Sequence, residues 1–220
     1  MDVREQLKLF VGDYVREQYP GLWRALAPGR KGGAPADDRV TEALLAPVVE
    51  AVSDARDAVA RPAHYVLWAL TDFSAAAREA VSELSRSPRG HVRTWAVLCV
   101  GRGAPRPFQL EVLRRGLSDR CSLARRQAAD RALSYRLREL LPELGAAVAR
   151  ERGAAVRREL DTCHRLLRDG YVLTPAGRGY VGLTVAFDGG GVGTRTVSRA
   201  ELRERGAETL AAEYRASRGS

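Results

Sequence analysis

Lysine and the residues that most often carry chemistry are scarce in this sequence. Its only lysines are Lys8 and Lys31, and the 220 residues include three histidines, three cysteines and one methionine. The cysteines, Cys99, Cys121 and Cys163, have neither the spacing of a zinc knuckle nor that of a redox pair. We therefore expect reduced thiols that pack as small apolar side chains, and we assign no metal site.

Catalytic patterns are also missing. The histidines, His64, His91 and His164, belong to no recognisable Ser/His/Asp or Cys/His spacing. The glycine-rich stretch 188–193 lies between two predicted strands and no Lys-Ser/Thr pair follows it. It is therefore predicted to be a hairpin loop and not a phosphate-binding loop. We assign no catalytic residue and no cofactor, and the sequence favours a protein that is not an enzyme.

Long apolar runs are absent as well. No stretch reaches the ~20 apolar residues that a membrane-spanning helix needs. The first residues, Met1–Lys8, are charged and amphipathic, without the apolar core of a secretory signal. These absences predict a cytoplasmic protein with no membrane partner.

The net charge of +9, with a pI of about 10.1, leaves two interpretations open. A basic surface attracts polyanions, so nucleic acid is one candidate partner. However, nearly all the positive charge is arginine and the chain is rich in alanine, glycine and valine, which is typical of codon bias in a GC-rich genome.

The N-terminal region, residues 1–37, is predicted to be one amphipathic helix followed by a flexible linker. Apolar residues recur at helical spacing over residues 1–19, and Pro20-Gly21 ends the pattern. Leu22, Trp23 and Leu26 form a short apolar anchor before the Gly- and Pro-rich residues 27–36. Asp37 and Asp38 are predicted to cap the next helix.

Four helix pairs are predicted over the second region, residues 38–169, because turn residues recur there at regular intervals. The predicted pairs are 39–53 with 56–70, 72–85 with 89–101, 106–117 with 121–138, and 139–150 with 153–168.

An arginine row runs through these pairs with a step of 32 residues: Arg61, Arg93, Arg125 and Arg157. A fixed period of this size is typical of stacked helical repeats. In the third and fourth pairs a carboxylate stands six positions before the arginine, namely Asp119 and Glu151.

This combination resembles the HEAT-like (armadillo-type) repeats over about residues 38–168. Ser87 with Arg93 is a weaker variant of the pattern, and Arg61, with Ala55 six positions earlier, departs from it. The resemblance implies an α-solenoid of antiparallel helix pairs whose second helices line a concave face. It implies little about function, because the same array serves many unrelated roles.

The arginines are predicted to divide into two groups. Turn carboxylates can pair with the aligned arginines and hold the stack together, so the structural ladder is expected to comprise Arg61, Arg93, Asp119, Arg125, Glu151 and Arg157. Arg126, Asp130, Ser134 and Arg138 repeat at i, i+4 and form one polar stripe on a helix. The candidate binding residues are Arg126, Arg131, Arg138, Arg158 and Arg165.

Beyond Gly170 the composition changes, and residues 170–220 are predicted to form a small antiparallel β-meander closed by a helix. The expected strands are residues 171–174, 180–187 and 194–197, rich in β-branched and aromatic side chains. Ser198 and Glu201 form a capping box at the start of a helix that is expected to reach about Ala216. This module could cap the open end of the solenoid, and it resembles no family that we recognise.

The sequence thus favours a scaffold or adaptor that binds another protein in the groove of a helical-repeat array. The alternative is a nucleic-acid-binding HEAT-like protein that uses the arginine-rich face. Some HEAT-like proteins are DNA alkyl-base glycosylases with tryptophans and an acidic residue on the concave face, and Trp68, Trp95 and Asp130 are the residues here that invite that comparison.

Overall fold

The computed structural model describes residues 12–26, 40–188 and 190–218. The chain is mainly helical, with a three-stranded antiparallel sheet near its C-terminal end. It forms two compact units, Met1–Ala128 and Ala129–Ser220. One helix, Ser122–Ser134, begins in the first unit and ends in the second.

The first unit is built from helices, and residues 12–18 are also helical. The labelled helices are α1 Pro20–Ala25, α2 Glu42–Val52, α3 Asp57–Thr71, α4 Ala75–Leu84, α5 Gly90–Leu98, α6 Arg106–Leu117 and α7 Ser122–Ser134. Successive helices pack on one another from α2 to α6. In addition α2 contacts α4 and α3 contacts α5, so two successive helix pairs touch through both their first and their second helices.

Helix α3 is the central element of this packing. Its apolar positions recur around most of the helix, and Ala63, Val66, Leu67 and Leu70 are fully buried. Burial of one such leucine stabilises the fold by about 1.5–3 kcal/mol. Helix α4 begins where Ser74 caps it, since the Ser74 Oγ accepts the Ala77 N–H at 3.3 Å.

Two sequence predictions near the start of the unit need correction. Pro20 does follow the end of a helix, but it also opens α1, where the fixed φ of proline suits the first helical position. Helix α2 begins at Glu42 after Thr41, three residues later than predicted. Asp37 and Asp38, the predicted caps, lie outside the described residues.

The prediction that one helix spans residues 121–138 is wrong. Helix α7 ends at Ser134, and Arg136 adopts a left-handed backbone conformation with a φ of 56°. The Leu137 N–H then donates to the Ala132 carbonyl at 2.9 Å, which closes the helix end in the manner of a Schellman motif. Arg138 consequently lies in a separate 3₁₀ turn, Arg138–Leu140.

The second unit contains a helical hairpin and the sheet. Its elements after the 3₁₀ turn are α8 Leu141–Arg150, α9 Ala154–Asp169, β1 Tyr171–Pro175, β2 Tyr180–Ala186, β3 Val192–Ser198, α10 Arg199–Arg205 and α11 Ala207–Ala216. The strand order is β1-β2-β3, and all pairings are antiparallel. Helix α11 packs on β2, and the core between them includes Leu183, Val185, Val197, Leu210 and Tyr214.

The strands and the capping serine agree with the sequence prediction, whereas the single C-terminal helix does not. The Ser198 Oγ accepts the Glu201 N–H at 3.0 Å. Gly206, with a φ of 77° and a ψ of 151°, then divides the segment into α10 and α11. Helix α9 packs against β1 and β2, so the predicted boundary after residue 169 falls inside the second unit.

In the part of the chain that the structure describes, every helix is too short or too polar to cross a lipid bilayer.

Candidate functional site

The first unit has an open groove of about 290 Å³ between α2 and α4. Each helix contributes four residues spaced i, i+3, i+4 and i+7, which is one complete stripe of a helix surface. The lining residues are Glu42, Leu45, Ala46 and Val49 from α2, with Ala76, Glu79, Ala80 and Glu83 from α4. We call this feature the α2–α4 groove.

Small side chains explain why the two packed helices leave a groove. Leu45 is buried at its floor, while Val49, Ala76 and Ala80 are half-buried and Ala46 is exposed. Alanine at three of the eight lining positions is too short to fill the space between the helix backbones. The result is an open apolar depression among the described residues of the first unit.

Carboxylates form the rim of the α2–α4 groove. Glu42, Glu79 and Glu83 are all exposed. Glu83 forms an ion pair with Arg86, whose guanidinium also reaches Glu111 at 3.3 Å. Among the described residues, neither Glu42 nor Glu79 has an ion-pair partner. The rim is therefore locally acidic on a chain whose net charge is +9.

The structure brings together one pair of the predicted arginine ladder as a bidentate ion pair. Arg93 donates to Asp119 from Nε at 2.6 Å and from Nη2 at 2.8 Å, and the two side chains are only 11% and 7% exposed. The Asp119 Oδ1 also accepts the Cys121 N–H at 2.7 Å. Burial opposes ionisation, but the bonds from Arg93 and Cys121 outweigh it and hold the pKa of Asp119 below its ordinary value.

The other predicted ladder residues make different contacts. Arg125 donates from Nη1 to the backbone oxygen of Asp119 at 2.6 Å. Arg61 bonds Asp57 on its own helix, in an exposed i, i+4 pair. Glu151 is buried and accepts the Gly153 N–H at 2.8 Å, and Arg157 is exposed on α9.

The five candidate binding arginines lie on several elements. Arg126 is exposed on α7 in the first unit, and the other four belong to the second unit. Arg131 lies over the Tyr135 ring and donates to its hydroxyl at 3.1 Å. Arg138 is exposed in the 3₁₀ turn, so the predicted i, i+4 stripe from Arg126 stops at Ser134. Arg158 is exposed and Arg165 half-buried on α9.

The two tryptophans singled out in the sequence are both half-buried. Trp95 packs against the buried ring of His64, with 4.8 Å between ring centroids, and Tyr65 lies beside the same imidazole at 4.1 Å. The His64 Nδ1 is 2.5 Å from the Arg61 carbonyl oxygen. His64 thus belongs to an aromatic packing cluster inside the first unit.

A polar network that the sequence did not indicate anchors the loop between α5 and α6. The buried Thr71 hydroxyl accepts the Gly101 N–H at 2.9 Å, and Asp72 accepts the Gly103 N–H at 3.1 Å. Gln109 donates to the Gly101 carbonyl at 2.9 Å. Burial raises the pKa of Asp72 although backbone N–H bonds from Gly103 and Ala104 oppose the rise. In the sequence, the glycines and prolines of residues 101–107 indicate only a break between helices.

A second unpredicted contact lies in the second unit. Arg136 and Arg215 both donate to the Ala186 carbonyl, at 3.0 and 3.2 Å. Arg215 also bonds the Gly170 carbonyl at 2.9 Å, and Asp188 lies 3.4 Å from Arg136. Burial and the neighbouring Arg215 lower the pKa of Arg136 despite Asp188. The two guanidiniums tie the ends of α7, α9 and β2 together.

Within the described residues, no three His, Cys, Asp or Glu side chains come close enough together to hold a metal ion. Cys99 is buried, Cys121 and Cys163 are half-buried, and all three are free thiols.

Comparison with known proteins gives no relative: no protein-family model matches the chain, and no curated protein or solved structure matches it. The resemblance to HEAT-like repeats stays a prediction.

Proposed function

We propose that this protein is a non-enzymatic interaction protein and that its first unit binds a segment of another protein in the α2–α4 groove. The observation that carries the proposal is the α2–α4 groove itself, an open depression with an apolar floor. Val49 and the alanines Ala46, Ala76 and Ala80 provide accessible apolar surface above the buried Leu45, and burying such surface under a partner is favourable by about 25 cal/mol per Å².

The chemistry of the lining favours a protein partner over a small molecule. Small-molecule sites place a few converging polar groups inside an apolar pocket. In the α2–α4 groove the polar groups are three carboxylates on the rim, while the floor is aliphatic. Such a layout resembles a protein interface with an apolar centre and a polar edge.

We further propose that helices α2–α5 stack as a HEAT-like array. The contacts of α2 with α4 and of α3 with α5 support it, because a stack of helix pairs requires contacts of this kind between neighbouring pairs. The proposed partner site lies on the first helices, whereas the sequence argument expected the second helices to bind.

The proposal is tested by selecting peptides that bind the full chain and retesting them against two matched variants. Ala46 lines the groove and Ala43 is an exposed residue on the same helix that does not. Ala46→Arg should weaken the selected peptides at least ~10-fold, a loss of about 1.4 kcal/mol, and Ala43→Arg should leave them unchanged. Equal binding to both variants would exclude the α2–α4 groove as the site.

The nucleic-acid alternative, including a base-excising enzyme, keeps the support of the +9 charge. The tryptophans add none, because base stacking requires exposed rings and Trp95 packs against His64. Binding to duplex or single-stranded oligonucleotides that weakens steeply with salt would favour this alternative. If no oligonucleotide binds at low salt, the nucleic-acid alternative is rejected.

A further inference from the structure

We infer that the α2–α4 groove accepts an amphipathic helix of a partner protein, with an apolar stripe flanked on both sides by lysine or arginine. The inference rests on the proposed function, because it names the chemistry of the segment that the groove would bind.

Backbone hydrogen bonding favours a helical occupant over an extended one. Both walls of the groove are α-helices, which use most of their backbone N–H and C=O groups internally and offer no strand edge to an extended peptide. An extended peptide would leave its own backbone groups without partners over the apolar floor, which is costly. A helix satisfies its backbone internally and needs only side-chain packing.

The length of the groove fits a short helical contact. Each wall stripe spans eight residues, so at 1.5 Å per residue the lined length is about 10–12 Å, or two helical turns. Ala46, Ala76 and Ala80 let the ridges of a third helix approach closely. Leucine or isoleucine at i, i+3 and i+4 of the occupant would pack on the half-buried Val49, Ala76 and Ala80.

The carboxylates on the rim determine which charge the flanks of the occupant should carry. Glu42 stands on the α2 side of the groove, and Glu79 and Glu83 stand on the α4 side, so both flanks carry carboxylates. Arg86 bonds Glu83 and Glu111, and Arg78 on α4 donates to the Thr71 carbonyl at 3.2 Å. Glu42 and Glu79, which have no ion-pair partner among the described residues, therefore attract cations and repel carboxylates.

The test uses three helical peptides with one identical leucine stripe and with lysine, glutamine or glutamate at the flanking positions. Affinity for the full chain is measured by fluorescence anisotropy. At low salt we expect the lysine peptide to bind at least ~10-fold more tightly than the glutamine peptide, and the glutamate peptide to bind most weakly. The preference should shrink as salt rises, because the Debye length falls from about 30 Å at 0.01 M to about 10 Å at 0.1 M.

Variants of the groove separate the effect of rim charge on peptide binding from the effect of groove shape. The pair Glu42→Gln and Glu79→Gln should remove the lysine preference and leave binding of the glutamine peptide unchanged. Glu50→Gln, on an exposed position of α2 outside the groove, is the matched control and should change neither. Ala46→Arg should weaken all three peptides. Thermal melts confirm that each variant is folded.

The outcomes separate the two proposals. If Ala46→Arg weakens all peptides but the charge order is flat or reversed, the basic-helix inference is wrong and the groove still binds protein. If no peptide binds, or Ala46→Arg changes nothing, the proposed function itself is wrong. Self-association of the chain that Ala46→Arg abolishes would make a second copy the occupant and would overturn the inference.

Discussion

Arg93 on α5 and Asp119, in the turn before α7, form a nearly buried bidentate ion pair across 26 residues of sequence. The same guanidinium donates from Nη1 to the Ser87 and Pro88 carbonyls, at 2.8 and 2.9 Å. One arginine thereby joins the turn before its own helix to the turn before the second helix of the next pair. Bidentate geometry of this kind is specific to arginine.

We expect Arg93→Ala to lower the free energy of unfolding by about 2–4 kcal/mol, because it leaves Asp119 buried without its cation. Arg61→Ala is the matched control from the same arginine row, since Arg61 pairs with Asp57 on an exposed helix face. The free energy of unfolding of Arg61→Ala should be indistinguishable from that of the wild type. Urea denaturation of the three proteins measures the difference, and equal losses would show that burial of the pair does not matter.

A pH dependence follows from the lowered pKa of Asp119. A carboxyl whose pKa in the folded protein lies below its unfolded value of ~3.9 stabilises the fold fully above that value. The stabilisation disappears as the pH falls through the lower, folded pKa. The stability difference between the wild type and Asp119→Asn should therefore be largest near neutral pH and shrink below about pH 4.

Urea denaturation of wild type and Asp119→Asn between pH 2.5 and 7 checks this expectation. Asp57→Asn is the control, since Asp57 is exposed and pairs with Arg61 on its own helix. A wild-type advantage that stays constant down to the lowest pH would contradict the lowered pKa.

The arginine row shows what the sequence could predict. The 32-residue step placed Arg93, Arg125 and Arg157 near the starts of second helices, and the carboxylate six positions earlier identified Asp119 as an acceptor for this row. The spacing did not reveal that Asp119 serves Arg93 through its carboxylate and Arg125 through its backbone oxygen. That choice depends on how adjacent pairs pack.

The α2–α4 groove was harder to predict from the sequence. Each stripe is an ordinary i, i+3, i+4, i+7 pattern, and alanines at such positions are typical of a tightly packed core. Whether an alanine stripe is covered depends on contacts between helices some 30 residues apart. The end of α7 was missed for a different reason: glycine or asparagine usually occupies the left-handed position, and here it is Arg136.

Arg136 gives a prediction that separates backbone strain from side-chain contacts. Arg136→Gly and Arg136→Ala both remove the bond to the Ala186 carbonyl, but only glycine relieves the left-handed backbone. We expect the glycine variant to be more stable than the alanine variant by about 1 kcal/mol. Thermal unfolding of the two variants measures it. Equal stability would mean that residue 136 is not held in the left-handed conformation.

Gly101 shows how closely the loop between α5 and α6 approaches α3. A Cβ at this position would lie 1.9 Å from the Asp72 Oδ1, 2.7 Å from the Thr71 Oγ1 and 2.9 Å from the Trp68 carbonyl oxygen. Gly101→Ala must therefore displace the loop and break the bonds to Thr71 and Asp72, at a cost of about 2–4 kcal/mol.

Gly191→Ala is the control for Gly101→Ala, because nothing lies within 4 Å of its Cβ. We expect the free energy of unfolding of Gly191→Ala to stay within about 0.5 kcal/mol of that of the wild type.

Combining Gly101→Ala with Asp72→Ala removes the shortest clash but leaves the approach to the Trp68 carbonyl. The double variant should therefore lose less stability than the two single losses added together, because the two positions contact each other. Additive losses in urea denaturation would show that Asp72 and Gly101 do not meet.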